Sequence, residues 1–512
     1  MSDFARIPKA HLTMALCLPL AVIVGYFLVD PLQPSALAFV GFVLAVLTIP
    51  LAIKWHHPLL FFCWNSTLAP AIFPGQPYLW TMLAPLALLF GILNRSVDSD
   101  RRFIHVPSIR NALLFLLLVV LGTAYVNGGL GFGVFHSSQF GGRRYFYTSM
   151  AIIGFFAMTS QKVSIRHAKF YVGLFFLSML MGIIPNLAFF AGDTTGTIAD
   201  LVFSPEGSGE QVRAAQLGTD MARVFGLIYL SIGAVCFLIA KYGIRGIFDL
   251  SKWWRLVLLL GAFAAGAMSG FRSALILLIL IFCVSFILEG LHRTKLALAI
   301  TGTILLCGCL LVAQAEKLPF FVQRALSFLP IGVSDEVKVN AASSYEWRLD
   351  MWKVLVPQIP KYLLKGKGYG IDPTEMYFST DAHRQVNGGI EWAIIAGDYH
   401  SGPLSLIIPL GIWGVIGFTW FVVVSLRYLF QRYRNGDPEL RQINTLLLAY
   451  FLARLVLFLF IFGSFYSELC LFTGVVGLSV CLNGAEPEPA TEPIPAVLED
   501  DIVYLEHRDD PV

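Results

Sequence analysis

The sequence predicts an all-α, polytopic integral membrane protein with about 14 transmembrane helices and one long polar loop that contains short helices. Three observations predict it. Hydrophobic residues make up 57% of the 512-residue chain and charged residues only 13%, a balance that places its bulk in lipid. Apolar runs near the ~20-residue length of a spanning helix recur from end to end. Lys and Arg are also distributed unevenly between alternate loops, as the positive-inside rule requires of a multi-pass chain.

The candidate spans lie near 11–29, 35–53, 58–73, 77–94, 108–126, 146–160 and 170–191, then 222–240, 256–270, 273–291, 296–314, 403–426, 443–464 and 466–483. The first reads as an uncleaved span, because no small-x-small site follows its apolar run. With the N-terminus in the cytoplasm, the inner side collects twenty Lys and Arg and the outer short loops only five: Arg143, Arg144, Arg213, Arg223 and Arg272. Both termini are then cytoplasmic. Four regions follow: helices over 1–314, an outer loop over 315–402, helices over 403–483, and an acidic, Pro-rich disordered tail over 484–512.

A formal charge of +3, spread in short clusters, gives no basic face for nucleic acid. The eight cysteines fall in or beside apolar segments without a C-x-x-C pair, and read as small packing residues. No internal repeat of the inverted-transporter kind is visible in the sequence.

The outer loop is the one polar segment long enough to fold on its own, so chemistry is sought there. Within it, "SSYEWRLDMWKVLV" suits an amphipathic helix, "KGKGYGIDP" is a Gly-rich turn, and "NGGIEWAIIAGD" reads as a short helix ending at Gly397. Arg272, in "AAGAMSGFRSALIL", sits in a tight outer connection against the charge bias. It either snorkels to lipid phosphates or forms part of an anion site. Arg223 and Arg348 are the two arginines that could join it at one membrane depth, where a polyprenyl diphosphate carries its charge. Arg143 and Arg144, in "GGRRYFY", read as lipid-headgroup contacts on a loop.

Three histidines face outward in this topology: His136, His383 and His400. His400 ends the loop where the chain re-enters the membrane, and is either a general base for an attacking hydroxyl or a helix cap. Asp350, Asp381, Glu391 and Asp398 remain as partners for it or for sugar hydroxyls, Asp398 being nearest. The early outer loops offer no acidic set for a divalent ion, and the "DSD" at 98–100 falls on the cytoplasmic side. Arg454, mid-span, is either functional or paired with Glu468.

In chain order, "SGFRSALIL", "RLDMWKVL", "GKGYG" and "DYHSGPLSLIIPLGIWGVIG" resemble the O-antigen ligase and polymerase superfamily of bacterial membrane glycosyltransferases. That family's pattern is S-R-G/S-A, R-x-x-x-W, G-x-G and a loop-ending H-N before a span with G-x-x-G. The resemblance covers roughly residues 215–430. It implies a multi-pass protein of the bacterial inner membrane whose long loop is periplasmic. Such an enzyme moves a glycan from undecaprenyl diphosphate to an acceptor hydroxyl, of lipid A core in the ligases, with inversion and with neither metal nor cofactor. Arg272 and Arg348 would hold the diphosphate, with Arg223 matching a looser R-x-x-G feature, and His400 would act near the acceptor. Ser401 departs from the pattern, standing where the family commonly has Asn. A repeat-unit polymerase would use the same motifs, and a flippase of lipid-linked sugars is the competing class.

Overall fold

The structure is a computed structural model that describes residues 53–97, 103–127, 142–204, 223–329, 332–370 and 390–485, with isolated positions between 14 and 50. The first two expected spans lie almost wholly outside the described residues, as do His136, Asp381, His383, the 98–100 stretch and most of the tail. Within them, regular structure is helical throughout, with one isolated antiparallel bridge between Leu68 and Phe203. Seven described helical segments are long and apolar enough to cross a membrane. Helices suit that medium because they satisfy their own backbone polar groups.

Among the described residues, six of the helices before the long polar region carry the frame of the bundle. They are α1 (Leu79–Val97), α2 (Pro107–Val126), α3 (Gly142–Met158), α4 (Ile165–Leu177) running through a 3-10 stretch into α5 (Ile184–Ala191), and α6 (Phe225–Ile247). α7 (Trp254–Met268) and α8 (Arg272–Leu288) are shorter apolar helices, followed by α9 (Lys295–Gln314). The polar region contributes α10 (Phe320–Leu326), α11 (Asp335–Leu355) and α12 (Ile390–Ala396). The chain closes with α13 (Gly402–Asn435), α14 (Arg441–Phe460) and α15 (Phe465–Asn483).

The third expected span is not a span. Its helix stops at Trp64, and residues 66–78 run irregularly beside 201–204, with the amides of Ala69 and Ala71 donating to the carbonyls of Val202 and Leu201 at 2.9 and 2.8 Å. Pro70, Pro74 and Pro77 lack the N–H groups a helix there would need. The sixth begins four residues earlier than expected, so Arg143 and Arg144 stand in the first turn of α3 and not on a loop.

α14 and α15 are the most enclosed spans. A cluster of aromatic rings joins them to α13: Phe418 lies 5.3, 5.4 and 5.7 Å from Phe458, Phe465 and Phe472. Arg454 is buried here, 3.3 Å from Glu468 and donating from Nε to the Tyr450 hydroxyl at 3.1 Å. The pairing with Glu468 is thus the arrangement the fold adopts.

α13 is broken. Its 34 residues would reach ~51 Å at the usual rise, longer than a bilayer core needs, and Gly411 interrupts it with φ 64° and ψ −163°. The Gly-rich turn fills the gap. Lys367 and Gly368 donate their amides to the carbonyls of Ile408 and Pro409 at 2.7 and 2.9 Å, and Ile412 donates to Leu363 at 2.7 Å. Gly366 and Gly368 both take positive φ, where a Cβ would be strained, and one at Gly366 would also land on the Pro409 carbonyl. The G-x-G spacing therefore makes a backbone hook for a discontinuous helix, whose first half starts directly after His400.

Candidate active site

Three elements deliver the sequence-predicted arginines to one place. Arg223 immediately precedes α6, its guanidinium carbon 5.2 Å from the Phe271 ring centre, while Val224 donates to the Ser269 carbonyl at 2.9 Å. These contacts tie the start of α6 to the connection that Arg272 closes. Arg272 opens α8 and donates from Nη2 to the Ala341 carbonyl of α11 at 3.4 Å. Arg348 lies on the same stripe of α11 as the buried Val337, Ala341, Met351 and Leu355, spaced so that one helical face turns toward the bundle.

Arg348 is half-buried, and its pKa is depressed by that burial and then by the positive charges of Arg272 and Arg223. Three like charges are thus held within electrostatic reach of one another. Neither Arg272 nor Arg348 has a carboxylate within ion-pair distance among the described residues. Such a cluster repels itself until an anion enters it, and guanidinium forks suit a phosphate.

His400 stands beside this cluster. α12 ends at Gly397, which takes φ 68° while Asp398 donates back to the Ala393 carbonyl at 2.8 Å, a glycine cap that turns the chain. Trp352 of α11 holds the next residue, donating from Nε1 to the Tyr399 carbonyl at 2.9 Å. The imidazole lies 5.3 Å from Trp347 and 5.4 Å from Phe462, and Arg348 approaches the same Phe462 ring at 5.5 Å. Phe462 belongs to the turn between α14 and α15, and Ser405 fastens that turn to the start of α13 by accepting the Phe465 amide at 2.9 Å.

Two features mark His400 as more than a cap. Its φ is 47°, a region costly to a non-glycine residue by about 1–3 kcal/mol and held only where the surroundings enforce it. Its Nδ1 is buried without a hydrogen-bond partner among the described residues, while Nε2 lies 3.8 Å from Asp398 Oδ2. Burial lowers the imidazole pKa, and the charges of Arg348 and Arg223 act in the same direction against the opposing pull of Asp398. The ring is therefore neutral at pH 7, the state in which it can accept a proton.

The capping role falls to Ser401. It is the N-cap of α13, with its hydroxyl accepting the Leu404 amide at 3.5 Å. Asp398 is brought to His400, whereas Glu391 lies exposed in the first turn of α12 and none of the described contacts joins it to His400. Asp350 is occupied by Lys353 at 2.8 Å. Trp347 is read from sequence only as part of an interfacial amphipathic helix, and Phe271 and Phe462 carry no sequence signal, because an aromatic ring in a chain with 14% aromatic residues says little until its neighbours are known. No group of three or more His, Cys, Asp or Glu that could hold a metal ion occurs among the described residues.

The fold and this cluster define an all-helical, multi-pass membrane protein with three arginines gathered close to a strained histidine. Residues 256–419 match the family model Wzy_C, described as O-antigen ligase, which supports the O-antigen ligase superfamily. The matched segment contains Arg272, Arg348 and His400, while Arg223 and Phe462 lie outside it. The family supports a bacterial membrane enzyme of O-antigen ligase or polymerase type. No curated protein matches the chain.

Proposed function

We propose that the protein is a membrane glycosyltransferase that moves a glycan from a polyprenyl diphosphate carrier to an acceptor hydroxyl at the outer face of the inner membrane, in the manner of an O-antigen ligase. The observation that carries this reading is the gathering of Arg223, Arg272 and Arg348 within electrostatic reach of one another, with Arg348 and Arg223 also within reach of His400. Their positions suit a diphosphate seated at the membrane surface, and the Lys and Arg bias of the short loops puts that end of the bundle outside.

The chemistry is a single displacement. His400 takes the proton of the acceptor hydroxyl as its oxygen bonds to the anomeric carbon. The bond from that carbon to the diphosphate oxygen breaks, and the electron pair leaves with the diphosphate. Arg272 and Arg348, with Arg223, neutralise the charge that develops there, an effect strengthened by their partial removal from water. Attack from the face opposite the leaving group inverts the anomeric centre. Asp398 sits close enough to stabilise the imidazolium that forms.

The discontinuity in α13 does not favour a carrier. The hook residues Leu363, Lys367 and Gly368 take up the backbone groups freed at the break, so these are not offered to a cargo.

His400→Ala is expected to lower transfer by a factor of about a hundred to ten thousand, the usual worth of a general base, in membranes where the variant is present at wild-type level. Full activity in that variant would refute the assignment. Deleting the gene separates the related classes. Long polymers stranded on the carrier identify a ligase, single repeat units a polymerase, and units retained on the inner leaflet a flippase.

A further inference from the structure

Transfer joins two substrates, and the arginine cluster accounts for only one. The short connector from Gly397 to Ser401 has a second cationic contact at its other end. Arg144, in the first turn of α3, lies against Gly397 so closely that a Cβ there would stand 2.6 Å from its Nη1. Its guanidinium is held 4.7 Å from the ring centre of Tyr466. It has no ion-pair partner among the described residues, and the residue is half-buried.

The surroundings are tyrosines. Tyr145, the next residue on α3, accepts the Tyr369 amide on its hydroxyl at 2.8 Å and meets that ring at 5.0 Å, which anchors the hook beside Arg144. Tyr369 is only 5% exposed, and its own hydroxyl is buried with no hydrogen-bond partner among the described residues. An orphaned buried hydroxyl is uncommon enough to require an explanation, and a ligand atom supplies one. The charge of Arg144 is felt by Tyr369 and Tyr399, whereas His400 and Arg348 feel Arg223 instead. Arg144 is therefore not a fourth member of the diphosphate cluster.

We propose that Arg144 and the hydroxyl of Tyr369, with the half-buried ring of Tyr466, form a second anion subsite that holds the acceptor glycan through a phosphate or carboxylate on its sugar. The subsite rests on the transferase reading above. It lies at the opposite end of the connector from the leaving-group arginines, where the substrate supplying the hydroxyl to His400 has to enter. Aromatic faces suit sugar rings, and a guanidinium with free donors suits the anion.

Calorimetric titration of the purified full-length protein in lipid nanodiscs tests this with four probes: glucose 6-phosphate, glucuronate, glucose and inorganic pyrophosphate. One or both sugar anions are expected to bind and glucose is not; the stronger of the two identifies the anion. Arg144→Gln should weaken that binding by about ten- to a hundred-fold, the effect of losing a charge-assisted hydrogen bond, and leave pyrophosphate within about two-fold. Arg348→Gln should do the reverse. Tyr369→Phe removes a hydroxyl that bonds nothing among the described residues, so it should leave the fold intact and yet weaken the sugar anion. Arg144→Lys should retain part of the affinity through its point charge.

The proposal is overturned if neither sugar anion binds, if Arg144→Gln weakens pyrophosphate equally, or if Tyr369→Phe has no effect. It is also overturned if Arg144→Gln lowers kcat without raising the acceptor KM, since that marks a residue that only props Gly397. Should pyrophosphate ignore Arg348→Gln while the sugar anion responds to Arg144→Gln, the transferase assignment of the cluster fails and the subsite stands.

Discussion

The hook that fills the break in α13 can be tested by one methyl group. Gly366→Ala places a Cβ against the Pro409 carbonyl, 2.9 and 3.1 Å from the carbonyl carbons of Pro409 and Leu410. These atoms are backbone, so no side chain can rotate away, and the φ of 69° adds the cost of a left-handed residue, about 1–2 kcal/mol. If the hook withdraws, the bonds Lys367–Ile408, Gly368–Pro409 and Ile412–Leu363 are lost, each worth about 1 kcal/mol net. Because withdrawal relieves the strain, the loss of these three bonds caps the effect at about 3 kcal/mol, or roughly a hundred-fold in the opening equilibrium. Hydrogen exchange of the purified variant should show that acceleration at the amides of residues 367, 368 and 412. Transfer activity should fall with it, because the half-helix released begins two residues after His400. Gly370→Ala is the control: a Cβ there meets only the Asn127 carbonyl oxygen at 3.6 Å, an ordinary contact, and exchange should not change. A Gly366→Ala protein that exchanges at wild-type rates would refute the claim that the hook locks the broken helix.

Two further expectations concern titration and stability. Because the folded-state pKa of His400 is lowered, the neutral base persists below the usual 6.5, so the acid limb of kcat/KM lies below pH 6.5 and activity is flat through neutrality. The corresponding stability is present above the unfolded-state pKa and is lost as pH falls from there toward the folded value. Arg348→Gln removes a positive charge from beside the ring and should move the limb to higher pH, and Asp398→Asn should move it lower; an unmoved limb in both would show that another group titrates. Arg454→Met leaves Glu468 buried and unpaired and should destabilise the protein by about 3–5 kcal/mol, with most of the loss recovered by Arg454→Met/Glu468→Leu, as read by thermal unfolding in detergent. Equal loss in the single and double variants would contradict the pairing.

The local features were legible because each depends on a short window of sequence. Residues 390–396 form a helix that stops at Gly397, as the turn residue dictates, and the Ser-to-Trp segment ending at Trp352 forms part of α11. The Pro-rich stretch after Trp64 ends the third expected span, since hydropathy counts Pro70 as part of an apolar run, while the backbone cannot continue a helix through Pro70, Pro74 and Pro77. Arg143 and Arg144 were read as loop residues because their charge hid the start of a helix whose inward face is mostly aromatic and small.

What the sequence determined by itself is the class of molecule. A chain that is 57% hydrophobic, with apolar runs of spanning length and its cations biased between loops, has to fold as membrane helices, for lipid leaves its backbone little alternative. The motifs around Arg272, Arg348 and His400 also pointed to one kind of chemistry. Only the tertiary structure decided that Arg223 and Arg272 meet Arg348 across more than seventy residues of chain, and that Phe462 backs both Arg348 and His400. It also assigned the G-x-G turn to a helix break, Ser401 to a cap and Arg144 to the far end of the His400 connector. Each of these is a contact between elements distant in sequence, set by how helix faces pack. A residue's type shows what it can bind, and packing determines what is brought within its reach.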